Sequence, residues 1–272
     1  MSATASTTGT SEPTWRIAPS VPVAIGVFIA YLVVFIGLSS SSGIPFQEWF
    51  LSGPNIVRAA VLPLAGGSVV LILFLLWARW DFVFKDPGRL PMSPVLWVAL
   101  AVYVVAIAVQ FGVADWGKAT DRLLPIIAAG VLVGFAEETL FRGIILRSLR
   151  TNDRPEAWVM LIASLWFGFF HLANLANGAP LSGVLTQCAY AFVAGIMFYL
   201  FRRSRGLLVV AMIGHGLYDT SKFLPAPGND LMQANRVMLI LVVISALAAL
   251  IVMLVRDRSF AVTRSGVQPV GS

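Results

Sequence analysis

Long apolar stretches, separated by short polar ones, run through almost the whole chain. About 20 helical residues cross a hydrocarbon core roughly 30 Å thick, and eight stretches are long and apolar enough to do so. They lie at 20–38, 56–77, 94–113, 123–148, 157–176, 182–201, 207–224 and 236–255. Because an open sheet edge cannot satisfy its main-chain hydrogen bonds in lipid, each stretch is predicted to be a helix. The pattern therefore predicts an all-α fold, a polytopic membrane helical bundle with about eight transmembrane helices.

The composition agrees with a membrane protein and argues against a soluble domain that carries a single anchor. The 272 residues are 58% hydrophobic and 12% charged, whereas a soluble domain carries about 25% charged residues. The polar ends, 1–15 and 256–272, are predicted to be disordered cytoplasmic tails. The segment between them, 16–255, is predicted to be one membrane domain that lies in the lipid bilayer.

Basic residues are concentrated on one side of the predicted bundle. If both ends of the chain lie inside, fourteen Lys and Arg residues fall on the inner side and five on the outer side. The positive-inside bias therefore predicts cytoplasmic termini. The same bias explains the net charge of +6 without nucleic acid, which we exclude as a partner. Arg outnumbers Lys by 16 to 3, which favours a bacterial plasma membrane as the location.

Three of the predicted helices contain ionisable side chains that are expensive to place in a bilayer, at roughly 2.5–3.5 kcal/mol each on insertion scales. The six residues are Glu137, Glu138, Arg142, His171, His215 and Asp219. Ionisable groups at such positions typically serve proton chemistry, ion handling or catalysis. The sequence thus points to a functional site inside the membrane.

The spacing of these residues predicts how they pair. Glu138 and Arg142 are four residues apart and share a helix face, so we expect an ion pair between them. Glu137 points about 100° away and is predicted to be a free carboxylate, as a general base requires. His215 and Asp219 are also four apart, so the carboxylate either orients the imidazole or joins it in binding a metal or a substrate oxygen.

Together these groups suit the activation of a water molecule that attacks a carbonyl. An enzyme is one hypothesis. A proton-coupled membrane transporter or channel, with Glu137, His171 and His215 as a relay, is the second. A non-catalytic membrane scaffold is the third. Transporters often contain inverted repeats, and the lack of such symmetry in this sequence favours the enzyme.

At these positions the chain resembles the CPBP family, the CAAX prenyl protease 2-like (Abi) intramembrane proteases. The motifs EExxxR, FxxxH and HxxxD begin at Glu137, Phe167 and His215 and fall in order on separate predicted helices. The resemblance implies a catalytic core at 123–224 and an endopeptidase that acts on a peptide or membrane-protein substrate. The oligomeric state cannot be read from the sequence.

The resemblance also implies a role for each residue. Glu137 would be the general base, and Glu138 with Arg142 would shape the site. His171 would assist the water or bind a metal. The last motif, His215 with Asp219, would stabilise the oxyanion or complete a metal site.

The identity of a metal is left open by the sequence. The family is called a metalloprotease, which implies zinc with His171, His215 and Glu137 as ligands, but no HExxH helix is present. A metal-free glutamate mechanism fits the same residues. Counting along the chain places His171 several Å nearer the outer face than His215. We expect a tilt to bring the two level, in a cavity that opens to the cytoplasmic half.

Overall fold

The computed structural model describes residues 15–151, 154–225 and 229–256. Within these ranges the chain forms eight long helices, one for each predicted span, and three short 3-10 helices at Phe46–Glu48, Asp81–Phe84 and Trp116–Ala119. The long helices are α1 Val21–Ser41, α2 Gly53–Ala78, α3 Pro94–Val113, α4 Leu123–Arg150, α5 Glu156–Asn177, α6 Leu181–Arg205, α7 Leu208–Phe223 and α8 Asn229–Arg256. The all-α bundle is thus confirmed. The predicted tails, 1–15 and 256–272, lie outside the described ranges except for one residue of each.

Of the eight long helices among the described residues, seven are long and apolar enough to cross a membrane, and α7 is the exception. Its 16 residues rise about 24 Å at 1.5 Å each, which is short of the hydrocarbon core. The predicted stretch 207–224 is shortened at both ends. Leu207 forms an isolated β-bridge with Lys85 before α7 begins, and Leu224 is extended after it ends. The prediction of about eight spans therefore becomes seven spans and a shorter helix.

The short helix α7 packs tightly against α4 because glycine lines the contact. A Cβ atom on Gly134 would collide with the main-chain carbonyl of Met212 and would lie 3.0 Å from the nitrogen of Gly216. A Cβ atom on Gly216 would lie 2.9 Å from the carbonyl oxygen of Gly130. Small residues allow such close approach of helices in membranes. The approach brings the α4 and α7 motifs side by side.

Two helices change their winding at the predicted site. In α4 the α-helical turns end at Glu138, and the section Thr139–Ile145 is π-helical. In α5 the α-helical turns end at Phe170, and His171–Asn177 continues as a 3-10 helix. Single π-helical turns inside α-helices are frequently found at functional sites.

Candidate active site

The predicted ion pair on α4 is present and lies at the centre of the site. The Arg142 side chain donates to Glu138 Oε1 at 2.9 Å, and both residues are fully buried. The second Arg142 nitrogen donates to the carbonyl of Gly195 on α6, also at 2.9 Å. Arg142 therefore links α4 to α6 while it holds one carboxylate oxygen of Glu138.

Glu138 also joins α4 to α7. Its Oε1 lies 2.8 Å from Nδ1 of His215, whose ring is 2% exposed. Because Glu138 is paired with Arg142 as an ionised carboxylate, which can only accept, Nδ1 is the donor. The other ring nitrogen, Nε2, then faces Asp219 Oδ2 at 3.4 Å and Glu137 Oε2 at 3.8 Å. The contact with Glu138 thereby fixes which nitrogen of His215 faces the remaining carboxylates.

Aromatic rings hold this centre from two sides. Phe198 of α6 stacks on the His215 ring with centroids 4.0 Å apart. Phe167 of α5 stands edge-on to the same ring at 5.5 Å, and the Arg142 guanidinium lies 4.4 Å from the Phe167 centroid. The rings exclude water around the Arg142 and Glu138 pair, which strengthens its electrostatic interaction.

The structure also brings His171 to the site. Its Nδ1 donates to the carbonyl oxygen of Phe167 at 3.0 Å, because a carbonyl can only accept. Its Nε2 is then the acceptor of the neutral ring. The Phe167 ring contacts both imidazoles, with centroids 5.2 Å from His171 and 5.5 Å from His215. His171 and His215 therefore both contact the Phe167 ring, which agrees with the expectation that they lie at a similar depth in the membrane.

Glu137 differs from its neighbour because its Oε2 accepts no hydrogen bond from the described residues, and His215 Nε2 lies 3.8 Å away from it. Glu137 is 7% exposed, and its Oε2 is buried without a hydrogen-bond partner among the described residues. Glu138 also has one unpartnered oxygen, Oε2, but its other oxygen receives two donors. Glu137 is therefore the carboxylate that stays free to receive a proton.

A cavity of about 440 Å³ connects these groups to the end of the bundle. Its inner end contains Glu137, His171, His215 and Asp219. Its walls are mainly aromatic and aliphatic, with residues from each of the eight long helices except α3. Such an apolar cavity with a few polar groups at its base suits an apolar peptide segment.

The mouth of the cavity lies at the end where α1 and α7 finish. Phe50, from the segment between α1 and α2, stacks on Phe223 with centroids 4.0 Å apart, and both line the cavity with Lys222. The start of α1 lies at the opposite end, where the Trp80 indole donates to the carbonyl of Ile17. If the termini are cytoplasmic, this end of the cavity faces the opposite side of the membrane, and the sidedness of the termini and of the cavity stays a prediction.

The donors do not form a zinc site in this arrangement. Among the described residues, no three His, Cys, Asp or Glu side chains are grouped so that they could hold a metal ion. A catalytic zinc needs three protein ligands, and Nδ1 is already occupied in both histidines. The predicted zinc, with ligands His171, His215 and Glu137, stays a prediction.

A cluster of arginines around Asp86, at the opposite end of the bundle, was not predicted from the sequence. Asp86, which is 4% exposed, accepts hydrogen bonds from Arg150, Arg202 and Arg203 and lies 3.1 Å from Arg147. Burial alone would raise the pKa of Asp86, but the guanidinium groups lower it far below its usual range. The only signal in the sequence is an acidic residue, Asp86, in a loop that also contains Lys85 and Arg89. The four arginines that surround it entered the sequence argument only through the charge bias between the two sides of the membrane.

Comparison with known proteins gives one family. Residues 119–221 match the family model described as type II CAAX prenyl endopeptidase, Rce1-like. That segment contains all three motifs and the six predicted site residues. No curated protein matches the chain.

Proposed function

We propose that the protein is an intramembrane endopeptidase that uses water activated by Glu137, since residues 119–221 match the family model of the type II CAAX prenyl endopeptidases. The observation that carries the proposal is the contrast between two adjacent buried carboxylates. Glu138 is held by Arg142 and His215, whereas Oε2 of Glu137 accepts no hydrogen bond from the described residues and Glu137 lines the cavity.

In the proposed first step, a water molecule lies between Glu137 and His171. The Glu137 carboxylate accepts one hydrogen of the water, and the unprotonated Nε2 of His171 accepts the other. As the water oxygen attacks the peptide carbonyl carbon, its proton passes to Glu137. The carbonyl double bond opens, and the oxygen of the tetrahedral intermediate carries the negative charge.

His215 is proposed to stabilise that charge. Its Nδ1 is tied to Glu138, so its protonated Nε2 is directed toward the cavity, beside Asp219 and Glu137. A fixed donor in a dry site stabilises an oxyanion more than the same donor in water, because nothing must reorganise. Asp219 would keep the imidazole protonated and oriented, which is one of the roles expected from the sequence.

The intermediate then collapses. The carbon–nitrogen bond breaks, the new carboxyl group remains on one product, and the leaving nitrogen takes the proton from Glu137. Glu137 is thereby returned to its carboxylate form. The apolar walls of the cavity favour a substrate whose residues around the cleaved bond are apolar.

The test is cleavage of a fluorogenic, membrane-anchored reporter peptide in proteoliposomes. General-base catalysis contributes about 10²–10⁴-fold, so Glu137→Gln is expected to lower kcat by that amount. Glu48→Gln, at an exposed loop position, is the control and is expected to retain activity. Equal cleavage by the wild type and Glu137→Gln would overturn the proposal. Proton flux that is lost in Glu137→Gln, without cleavage by the wild type, would support the transporter.

A further inference from the structure

The arginine cluster around Asp86, at the end of the bundle opposite Phe50 and Phe223, is connected to the active site by hydrogen bonds. Arg202, at the end of α6, is 0% exposed. Its Nη2 donates to Asp86 Oδ1 at 2.8 Å, and its Nε lies 3.3 Å from Asp86 Oδ2. Such a bidentate contact fixes the plane of the guanidinium group.

The third nitrogen of the same guanidinium group reaches the catalytic helix. Arg202 Nη1 donates to the main-chain carbonyl of Arg142 at 2.5 Å. Arg142 belongs to the π-helical section Thr139–Ile145, where the helix is wider than an ordinary α-helix. The position of that turn decides where the Arg142 side chain begins.

A continuous series of hydrogen bonds thus leads from the loop between α2 and α3 to the imidazole. Asp86 holds Arg202, Arg202 holds the Arg142 carbonyl, and the Arg142 side chain holds Glu138. Glu138 in turn accepts from His215 Nδ1. No member of this series has to be exposed or to change its charge.

We propose that Arg202, clamped by Asp86, is a positioning residue that holds the Arg142 turn and thereby orients Glu138 and His215. The inference rests on the proposed function, because it concerns the geometry of the same site. Arg202 belongs to none of the three motifs and touches no cavity-lining group among the contacts above. Its effect on catalysis must therefore pass through Arg142.

The chain contains a matched control for this residue. Arg203 is equally buried and donates to the same carboxylate, at Asp86 Oδ2. Its other contacts go to the carbonyl of Gly88 and to Glu156, and none goes to Arg142. Loss of Arg203 therefore disturbs the cluster without releasing the catalytic turn.

The experiment compares Arg202→Lys with Arg203→Lys in the full-length chain. Lysine keeps the charge but lacks the rigid fork that reaches two partners at once. Changes around a catalytic group that remove an orienting partner typically cost 10–100-fold, so kcat of Arg202→Lys is expected to fall by about 10–100-fold with KM unchanged. Arg203→Lys is expected to retain kcat, and both variants are compared by their thermal midpoints.

A second readout does not depend on proteolysis. The chain has two histidines, so ¹⁵N-histidine NMR shows the ring nitrogens of two imidazoles, and a His171→Ala variant assigns the signals to one ring or the other. The His215 Nδ1–H signal is expected to shift or broaden in Arg202→Lys and to stay unchanged in Arg203→Lys. If Arg202→Lys does not fold, Arg202→Gln, which retains a single NH2 group as donor but not the guanidinium fork, takes its place.

Unchanged kcat and an unchanged His215 signal in Arg202→Lys would overturn the inference, and so would equal losses in the two variants. If the wild type cleaves no reporter, the proposed function fails by itself. The NMR comparison then still decides whether Arg202 orients His215.

Discussion

Neutralising Asp86 gives the most quantitative prediction for stability. In Asp86→Asn, Arg150 and Arg203 retain contact with Glu156, whereas Arg147 and Arg202 lose the one carboxylate that they contact among the described residues. Breaking a buried pair from one side costs about 3–5 kcal/mol, because it leaves an uncompensated buried charge. At about 2–4 °C per kcal/mol, the thermal midpoint is expected to fall by about 6–20 °C.

The pH dependence of this effect has a definite sign. The pKa of Asp86 is lowered by its arginine neighbours, whereas an unfolded aspartate titrates near 3.9. A lowered pKa contributes stability that is fully present above the unfolded value and is lost as the pH falls toward the folded one. The difference in stability between the wild type and Asp86→Asn is therefore expected to be constant above about pH 5 and to shrink below about pH 4.

The assay is thermal unfolding in detergent followed by tryptophan fluorescence, at several pH values. Asp115→Asn is the control, because Asp115 pairs with the exposed Lys118 and solvent screens that interaction. The control is expected to unfold close to the wild-type temperature. Equal midpoints for Asp86→Asn and Asp115→Asn, or a difference that grows at low pH, would refute the reasoning.

Two further predictions concern helix packing and sidedness. Gly134→Ala is expected to lower the free energy of unfolding by about 1–3 kcal/mol, as overpacking does, because a Cβ there meets main-chain atoms of α7. The same displacement of α7 is expected to lower cleavage. Gly26→Ala is the control and is expected to change neither property, because a Cβ there meets nothing within 4 Å. Thermal midpoints and kcat of both variants check this, and equal effects would contradict it. The sidedness test places a single cysteine at Gln47 or at Arg89 in a background without the native cysteine. The two positions are expected to be labelled from opposite sides of the membrane, with Arg89 on the cytoplasmic side if the charge bias holds. Labelling of both positions from the same side would contradict the fold.

Most of the fold was predictable because hydrophobic length and main-chain hydrogen bonding leave few alternatives in a bilayer. The span 94–113 matches its helix at both ends, and other predicted boundaries differ by a few residues. The pairing of Glu138 with Arg142 also followed from helical periodicity alone. These features depend on residues that are close in sequence.

The features that were missed depend on residues far apart in the chain. The sequence places Asp86 only in a polar stretch between the predicted spans 56–77 and 94–113, yet it binds arginines from α4 and α6. The mouth of the cavity depends on how Phe50 meets Phe223, more than 170 positions later. No local pattern encodes such contacts, so neither the cluster nor the direction of the cavity could be derived from spacing.

The central claim is that Glu137, and not Glu138, supplies the carboxylate that takes the proton from water. Chemical rescue tests it most directly, because the cavity beside Glu137 gives a small carboxylic acid access to the vacated space. Added formate is expected to restore cleavage by Glu137→Ala in a concentration-dependent way and to leave Glu138→Ala inactive, since formate cannot replace a side chain that orients His215. Cleavage by Glu137→Ala at the wild-type rate without formate, or equal rescue of both variants by formate, would contradict the account.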